Sequence, residues 1–205
     1  DVIITLAGPE IAVASTKAYT SQLIAFYLFG LHLAQTLGTQ DEAYIARVLA
    51  AMQSLPEQVE RILAQGEVIK EVAESIAHNR SLFFIGRGLD YAVAMEGSLK
   101  LKEISYIHSE AYAAGELKHG TLALIEEGVP VIALITQEEL QEKTLSNIKE
   151  VKARGADVLG IVNEGAEAEI AKSVDTLFSI PRTLPLLTPA LSVIPLQLLS
   201  YYASL

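Results

Sequence analysis

The chain has 205 residues, of which 51% are apolar, which is enough to bury a sizeable hydrophobic core and excludes a disordered chain. Its 25 acidic residues outnumber the 15 basic ones, and a net charge of -10 with scattered basic residues argues against binding to nucleic acid. The absence of cysteine excludes disulfides, thiolate metal ligands and cysteine nucleophiles within these residues, as expected of a cytoplasmic protein.

Short apolar segments alternate with longer amphipathic ones along the chain. The short segments are rich in β-branched residues and almost continuously apolar, which is typical of buried strands in a parallel sheet. The alternation predicts an α/β fold in which helices pack on a parallel sheet. The predicted strands are 2–6, 82–85, 129–135, 158–162 and 176–180, and the predicted helices are 16–37, 42–64, 69–78, 91–106, 138–154 and 189–203.

The uneven spacing of these elements predicts two structural units. Three helices separate the first predicted strand from the second, whereas strands and helices alternate regularly from Ser81 onward. We therefore expect residues 1–67 to be the C-terminal part of one unit and residues 68–205 to be a second, nearly complete unit. Because the chain opens on a strand, we also expect these residues to be part of a longer protein.

The longest apolar stretch, residues 23–38, does not predict a membrane span. Gly30, His32 and Gln35 interrupt it, and it is shorter than the roughly 20 apolar residues that a helix needs to cross a bilayer. No basic segment followed by an apolar run opens the chain, so no export signal is predicted. We interpret the stretch as a core helix of a protein without a membrane partner.

A glycine turn joins the strand predicted at 82–85 to the next helix, in the segment FFIGRGLDYAVAMEG. Backbone N–H groups and the helix dipole at such a turn favour an anion, so Gly86-Arg87-Gly88 is a candidate anion site. The third glycine of the dinucleotide-binding fingerprint is absent, because Tyr91 occupies its position. The alternative is that the glycines only form the turn, with Asp90 capping the helix.

Three ionisable residues, Glu96, Lys100 and Glu103, share one side of the predicted helix 91–106, between two sets of apolar residues. One interpretation is a solvated ladder of i,i+4 and i,i+3 ion pairs on the helix surface. The other is a cleft whose apolar walls shift the pKa values toward neutrality and suit these groups to proton transfer. The flanking apolar residues are Val93, Gly97, Leu101 and Ile104 on one side and Ala92 and Leu99 on the other, and the predicted solvent face carries Ser98, Lys102 and Ser105.

Residues 115–120, GELKHG, place Glu116, Lys118 and His119 between two glycines, which predicts a loop. Its charges are either simply solvated or brought to a site as acid–base groups. A metal site is a further alternative, because Glu116 and His119 have the Glu-x-x-His spacing and His108 and Glu110 lie close in sequence. That spacing brings two ligands together on a helix, and the flanking glycines argue against a helix here.

At the start of the predicted helix 16–37, the segment GPEIAVASTKAYTSQL contains two hydroxyl residues, Ser15 and Thr16. Either side chain is a candidate N-cap, because a hydroxyl oxygen accepts a hydrogen bond from the free N–H groups of a first turn. Either hydroxyl could also face a polar ligand over that helix end.

Three stretches, GPEIAVASTKAYTSQL, GRGLDYAVAMEGSLKLKEISYIHSEAYAAGELKHG and PLQLLSYYASL, together resemble the sugar-isomerase (SIS) domain of the glutamine–fructose-6-phosphate aminotransferase family. The resemblance covers nearly the whole chain. It implies SIS units that are three-layer α/β/α arrangements of helices around a parallel sheet. It also implies formation of glucosamine 6-phosphate from fructose 6-phosphate, using ammonia that a separate glutaminase domain releases from glutamine, without a metal or organic cofactor.

The resemblance implies roles for individual residues. Glu103 is expected to be the base that moves a proton between C1 and C2 of the sugar, with Lys100 at the sugar oxygens and Glu96 beside them. His119 is expected to open the sugar ring and to reach the site from the neighbouring subunit of a homodimer. The positions expected to line the sugar site are Val13 and Ser15.

Three features of the family are missing from these residues. They are the Ser/Thr-rich loop that holds the sugar phosphate, the C-terminal lysine that forms a Schiff base with the open-chain sugar, and the glutaminase domain with its N-terminal cysteine. We therefore expect the 205 residues alone to have little or no synthase or isomerase activity. A non-catalytic sugar-phosphate-binding SIS module and a related phosphosugar isomerase or deglycase are the alternatives, and the ionisable set favours an enzyme because a binding module does not need it.

Overall fold

The computed structural model describes residues 2–205, which form one parallel sheet of five strands with helices on both faces. The strands are β1 (Ser81–Gly86), β2 (His108–Ala113), β3 (Pro130–Ile135), β4 (Asp157–Asn163) and β5 (Thr176–Ile180). The helices are α1 (Lys17–Leu37), α2 (Glu42–Leu63), α3 (Gly66–Ile76), α4 (Leu89–Ser105), α5 (Gln141–Lys152), α6 (Glu167–Ile170) and α7 (Thr188–Ala203). Short 3-10 helices cover Ala114–His119, Thr121–Leu124 and Glu138–Leu140.

The strands lie in the order β2-β1-β3-β4-β5, and each neighbouring pair is parallel. Phe84 of β1 lies between Ala111 of β2 and Ile132 of β3. The chain runs from β1 to β2 at one edge and then crosses back over β1 to reach β3. The strand order therefore reverses between β1 and β3.

Alternation of side chains along the strands builds two hydrophobic cores, one on each face of the sheet. Phe84 and Ile132 belong to the core that contains residues of α3, α4 and α7, to which α1 and α2 add further side chains. Phe83 and Val131, their neighbours in sequence, belong to the core on the opposite face, beneath α5 and α6. The predicted three-layer α/β/α arrangement around a parallel sheet is confirmed.

The predicted helices and the strands predicted from residue 82 onward are confirmed, with ends that differ by a few residues. The strand predicted at 2–6 is wrong, because this segment forms no strand and its side chains at Val2, Ile3 and Ile4 are exposed. A strand needs a neighbour with which to hydrogen-bond, and no strand among the described residues pairs with this segment. The sequence did not predict β2, which lies at the edge of the sheet and has the polar sequence HSEAYA.

Helix α1 contains the longest apolar stretch of the chain, but only part of that stretch is buried. Leu31 belongs to the first core, whereas Phe26 and Phe29 are exposed. The interpretation as a core helix is therefore confirmed for one face of the helix only. Within residues 2–205, no helix is both long and apolar enough to cross a membrane.

Helix α2 is joined to the rest of the chain by polar contacts near the carboxyl ends of β4 and β5. Arg61 forms an ion pair with Glu164, and the side-chain amide of Gln58 donates to the carbonyl oxygen of Arg182 at 3.0 Å. Helix α3 begins at Gly66, soon after α2 ends. The division of the chain into units 1–67 and 68–205 stays a prediction.

Helix α4 packs closely against α7 at Gly97. A Cβ atom at this position would lie 2.5 Å from Cδ1 of Leu196 and 3.2 Å from Cε1 of Phe84, so a larger residue requires its neighbours to move. Because packed interiors leave little free space, this contact fixes how α4 is rotated against the sheet. That rotation decides which side chains of α4 are buried.

Candidate functional site

The three ionisable residues predicted on one side of a helix lie together on α4. The Nζ atom of Lys100 donates a hydrogen bond to Oε2 of Glu103, three residues further along the helix. The same Nζ lies 3.8 Å from Oε1 of Glu96, four residues earlier. One ammonium group is therefore held between two carboxylates of its own helix.

Burial distinguishes this cluster from an ordinary surface ladder. The side chain of Lys100 is only 5% exposed, that of Glu96 is 12% exposed and that of Glu103 is 28% exposed. The solvated-ladder interpretation is wrong for Lys100, because the close packing of α4 removes it from water, and only a small part of Glu96 remains exposed. A charged group without water is stabilised only by partners of opposite charge, which Lys100 and the two carboxylates supply to one another.

The environment also changes the acidity of Glu96. Burial raises the pKa of Glu96 above 4.5, the nearby Lys100 opposes this rise, and the negative charge of Glu103 adds to it. Burial likewise raises the pKa of Tyr19 on α1, and the charge of Glu96 contributes to that rise. Tyr19 is thus a neighbour of the cluster that the sequence did not indicate, because 77 positions separate it from Glu96 and no local pattern links the two residues.

The chemistry available to this cluster is proton transfer next to a fixed positive charge. A carboxyl group with a raised pKa exchanges protons closer to neutral pH than an ordinary glutamate does. A buried ammonium group stabilises negative charge that develops on a nearby oxygen atom. Glu103 is the most exposed of the three side chains and is therefore the carboxylate most accessible to a ligand.

The predicted solvent face of α4 is partly wrong. Ser98 is buried, and its hydroxyl lies 3.1 Å from that of Ser109 on β2, which in turn donates to the carbonyl oxygen of Ser98 at 2.9 Å. Leu99, predicted on the apolar side, is exposed. The difference arises because α4 is covered by β2 on one flank and by α7 on another, so two arcs of the helix are buried.

His119 ends the 3-10 helix Ala114–His119, where a loop was predicted. Its side chain is 71% exposed, and its Nε2 atom lies 3.9 Å from Oε2 of Glu116. Within residues 2–205 it forms no hydrogen bond or ion pair with Glu96, Lys100 or Glu103. The predicted approach of His119 to the site from a second subunit stays a prediction.

The residues that suggested a metal site are spread over two separate pairs. Besides the Glu116–His119 pair, Nε2 of His108 lies 3.7 Å from Oε1 of Glu110. Among the residues that the structure describes, no group of three or more acidic or histidine side chains could hold a metal ion. The described geometry gives the Glu-x-x-His alternative no support.

The hydroxyl groups at the start of α1 do not cap this helix. Thr16 occupies the N-cap position but makes no side-chain cap hydrogen bond. Glu10 takes this role instead, because its Oε1 atom accepts hydrogen bonds from the backbone N–H of Ala18 at 2.9 Å and from the hydroxyl of Ser15 at 3.1 Å. Val13, the other residue expected to line a sugar site, is 95% exposed. The roles of Ser15 and Val13 stay predictions.

Asp90 also differs from its predicted role. The N-cap residue of α4 is Gly88, and Asp90 lies within the helix with its side chain turned into the protein. Its carboxylate accepts hydrogen bonds from the backbone N–H and the hydroxyl of Thr136, which follows β3. No local pattern in the sequence indicates this contact, because the two residues are 46 positions apart.

Comparison with known proteins gives one consistent family. The model of the SIS domain family matches residues 75–205. Glutamine–fructose-6-phosphate aminotransferases (isomerizing) from Clostridium perfringens and Symbiobacterium thermophilum are 57% and 58% identical over 205 and 203 residues, which is 34% and 33% of their own lengths. The chain thus spans about a third of the length of these curated relatives.

A solved structure supports the same assignment. The C-terminal domain of glucosamine-fructose-6-phosphate aminotransferase from Francisella tularensis has a TM-score of 0.93 and 39% sequence identity, and the match covers 97% of this chain and 56% of that one. The chain therefore belongs to the SIS domain family, and over its full length it is similar to the isomerase domain of glutamine–fructose-6-phosphate aminotransferases.

Proposed function

We propose that the chain is the isomerase part of a glucosamine-6-phosphate synthase, which forms glucosamine 6-phosphate from fructose 6-phosphate and glutamine-derived ammonia. The observation that carries this proposal is the buried Lys100, held between Glu96 and Glu103 on one helix. The names of the relatives supply the substrate class, and the cluster supplies groups suited to the chemistry. In the proposed longer protein, a glutaminase domain is the partner that provides ammonia.

The reaction needs a ring opening, an exchange of oxygen for nitrogen and a proton shift from C1 to C2. The ring oxygen takes up a proton as the hemiketal opens, and ammonia then replaces the carbonyl oxygen at C2 with loss of water. A base next removes a proton from C1 and a proton is delivered to C2, while the imine nitrogen gains a proton and the hydroxyl group at C1 loses one, which gives the 2-amino aldose. The carbon skeleton is unchanged, so an acid–base group and a fixed charge are sufficient for the last step.

We assign the C1–C2 proton transfer to Glu103, because its carboxylate is the most accessible of the three groups and is fixed by Lys100. The ammonium group of Lys100 would stabilise negative charge on the sugar oxygens. Glu96, more deeply buried, would hold Lys100 in place from the other side. Val13 and Ser15 are proposed to line the sugar pocket once a substrate is bound.

We further propose that His119 opens the sugar ring and does so across a homodimer. Support comes from its high exposure and from the absence, within residues 2–205, of any contact with the α4 cluster. A group that serves this cluster from another subunit must be accessible on its own subunit. A mixture of two inactive variants, Glu103→Gln and His119→Ala, would then regain activity, because each mixed dimer keeps one site with both groups intact.

The experiment that tests the function is a chimera in which this chain replaces the matching 205 residues of the Clostridium perfringens relative. We expect the chimera to form glucosamine 6-phosphate from fructose 6-phosphate and glutamine, and the 205-residue chain alone to show little or no turnover. Mixing the Glu103→Gln and His119→Ala chimeras tests the dimer. A folded chimera without any turnover would contradict the proposed function, and a mixture that stays inactive would contradict catalysis across subunits.

A further inference from the structure

The sheet has a second position at which a ligand would be expected, away from the α4 cluster. In open parallel sheets, ligands bind at the carboxyl ends of the strands, at the point where the strand order reverses. With the order β2-β1-β3-β4-β5, this point lies between the carboxyl ends of β1 and β3. Its lining residues are the Gly86-Arg87-Gly88 turn, the start of α4, and Thr136 and Gln137 after β3.

Asp90 of α4 lies at this point. Only 2% of its surface is exposed, and its Oδ2 atom accepts a hydrogen bond from the backbone N–H of Thr136 at 2.8 Å. The hydroxyl of Thr136 donates to the other carboxylate oxygen. The donors that a bound anion would use at this edge are therefore already engaged by a carboxylate of the same chain.

Two further features of this position are close backbone packing and a buried polar side chain without a partner. The Gly86 turn approaches α4 so closely that a Cβ atom on Gly86 would lie 2.6 Å from the backbone carbon of Asp90. Gln137 is 95% buried, since its relative exposure is 5%, and its Nε2 atom has no hydrogen-bond partner among the described residues. An unused buried donor is unfavourable, and this one lies on the residue that follows Thr136, the hydrogen-bond partner of Asp90.

This position is distinct from the acid–base cluster. At 1.5 Å of rise per residue, Glu103 lies about 20 Å further along α4 than Asp90. A single sugar phosphate cannot occupy the carboxyl edge of this sheet and also present its C1 and C2 atoms to Glu103. The edge is therefore not part of the site proposed for the sugar.

We propose that Asp90 is a built-in anion that closes the ligand position between β1 and β3, so that this sheet binds no phosphosugar at its carboxyl edge. The chain then contributes an acid–base helix to a sugar site but no phosphate-binding site of its own. Removal of the carboxylate frees the N–H and hydroxyl groups of Thr136 and converts the position into a site for inorganic phosphate. This proposal does not depend on the proposed reaction.

The test is titration of the 205-residue chain with inorganic phosphate, at constant ionic strength set with chloride. The backbone amide resonances of Thr136 and Gln137 report binding by NMR, and the melting temperature reports it independently. We expect no saturable change in the wild type. In Asp90→Ala we expect both resonances to shift saturably and the melting temperature to rise with phosphate.

Glu71→Ala is the matched control, because it removes one exposed carboxylate from α3 and changes the net charge by the same amount. It should not respond to phosphate. Asp90→Ser, which keeps a small acceptor for Thr136, is the second variant if Asp90→Ala does not fold. Saturable shifts at Thr136 and Gln137 in the wild type would overturn the proposal without any variant. A folded Asp90 variant in which the resonances of Thr136 and Gln137 do not shift on addition of phosphate would overturn the proposal as well.

Discussion

Lys100 and Glu103 form a hydrogen-bonded ion pair one turn apart on α4, and the lysine side chain has almost no contact with water. A lysine in this position is costly unless its charge is matched, and two carboxylates match it here. The three charges are not equivalent, because loss of Lys100 leaves both carboxylates without their cation, whereas loss of Glu96 leaves the pair of Lys100 and Glu103 intact. The first two predictions test these two changes.

Lys100→Met should destabilise the protein, whereas Lys102→Met should not. Loss of Lys100 leaves Glu96 buried without its cation, and we expect the free energy of unfolding to fall by about 1–3 kcal/mol, less than for a fully buried pair. Lys102 is exposed on the same helix, so its replacement should change stability by at most about 0.5 kcal/mol. Urea denaturation of both variants measures this, and equal stabilities would contradict the account.

Glu96→Gln should gain stability relative to the wild type as the pH rises. Burial raises the pKa of Glu96 in the folded state above 4.5, so above that pH the folded state binds more protons than the unfolded state. The wild type therefore loses stability as the pH rises through the raised pKa, and the neutral glutamine lacks this loss.

The measurement is the difference in unfolding free energy between Glu96→Gln and the wild type from pH 4 to pH 8. We expect the difference to shift in favour of the variant above pH 4.5 and then to level off. Glu71→Gln, at an exposed position on α3, should show no such trend. A difference that falls with pH would mean that the ion pair with Lys100 outweighs burial.

Gly97→Ala should destabilise the protein by about 1–3 kcal/mol, because the added methyl group overlaps Leu196 of α7. Gly30→Ala on α1 is the matched control, since nothing lies within 4 Å of its added Cβ. There the better helix propensity of alanine should stabilise the protein by about 1 kcal/mol. Thermal unfolding of the two variants separates the effect of packing from that of propensity, and a stabilising Gly97→Ala would contradict the proposed close contact.

The hydrogen bonds between buried Ser98 and Ser109 predict that replacing each serine with alanine changes the free energy of unfolding by a different amount. Ser109 donates to the carbonyl oxygen of Ser98, so the Ser98 hydroxyl must be the donor between the two hydroxyls. Ser109→Ala removes the acceptor of a buried hydroxyl and should cost about 1–2 kcal/mol, whereas Ser98→Ala leaves Ser109 with a partner. The double variant should be more stable than Ser109→Ala alone, and additive effects in urea denaturation would rule out this coupling.

Much of the fold could be predicted from the sequence because the strands β1, β3, β4 and β5 are almost continuously apolar and the helices are long and periodic. β2 could not, because an edge strand that pairs on one side only has no need of a continuous apolar run. The segment 2–6 has the composition of a strand but lacks a paired neighbour among the described residues. The amino-acid composition of a segment indicates that it can form a strand, but the strand forms only where a neighbouring strand is available for pairing.

The candidate site, like the fold, could be predicted from the sequence only in part. The helical period placed Glu96, Lys100 and Glu103 on one side of α4, which the geometry confirms. The burial of Lys100 could not be predicted, since it depends on the contact of Gly97 with Leu196 of a helix almost a hundred positions away. The contact of Asp90 with Thr136 is likewise a product of the sheet order, which no local pattern in the sequence reveals.

The measurement that tests the central claim most directly is proton exchange at C1 of fructose 6-phosphate by the Glu103→Gln chimera. Solvent deuterium exchange followed by NMR reports the proton transfer, and equilibrium binding of the sugar phosphate is measured on the same sample. We expect exchange to fall at least about 100-fold while sugar-phosphate binding is retained, because a neutral amide cannot accept the proton. Glu71→Gln should leave both unchanged. Exchange at the wild-type rate in Glu103→Gln would remove Glu103 from the proton transfer and contradict the proposed role of the α4 cluster.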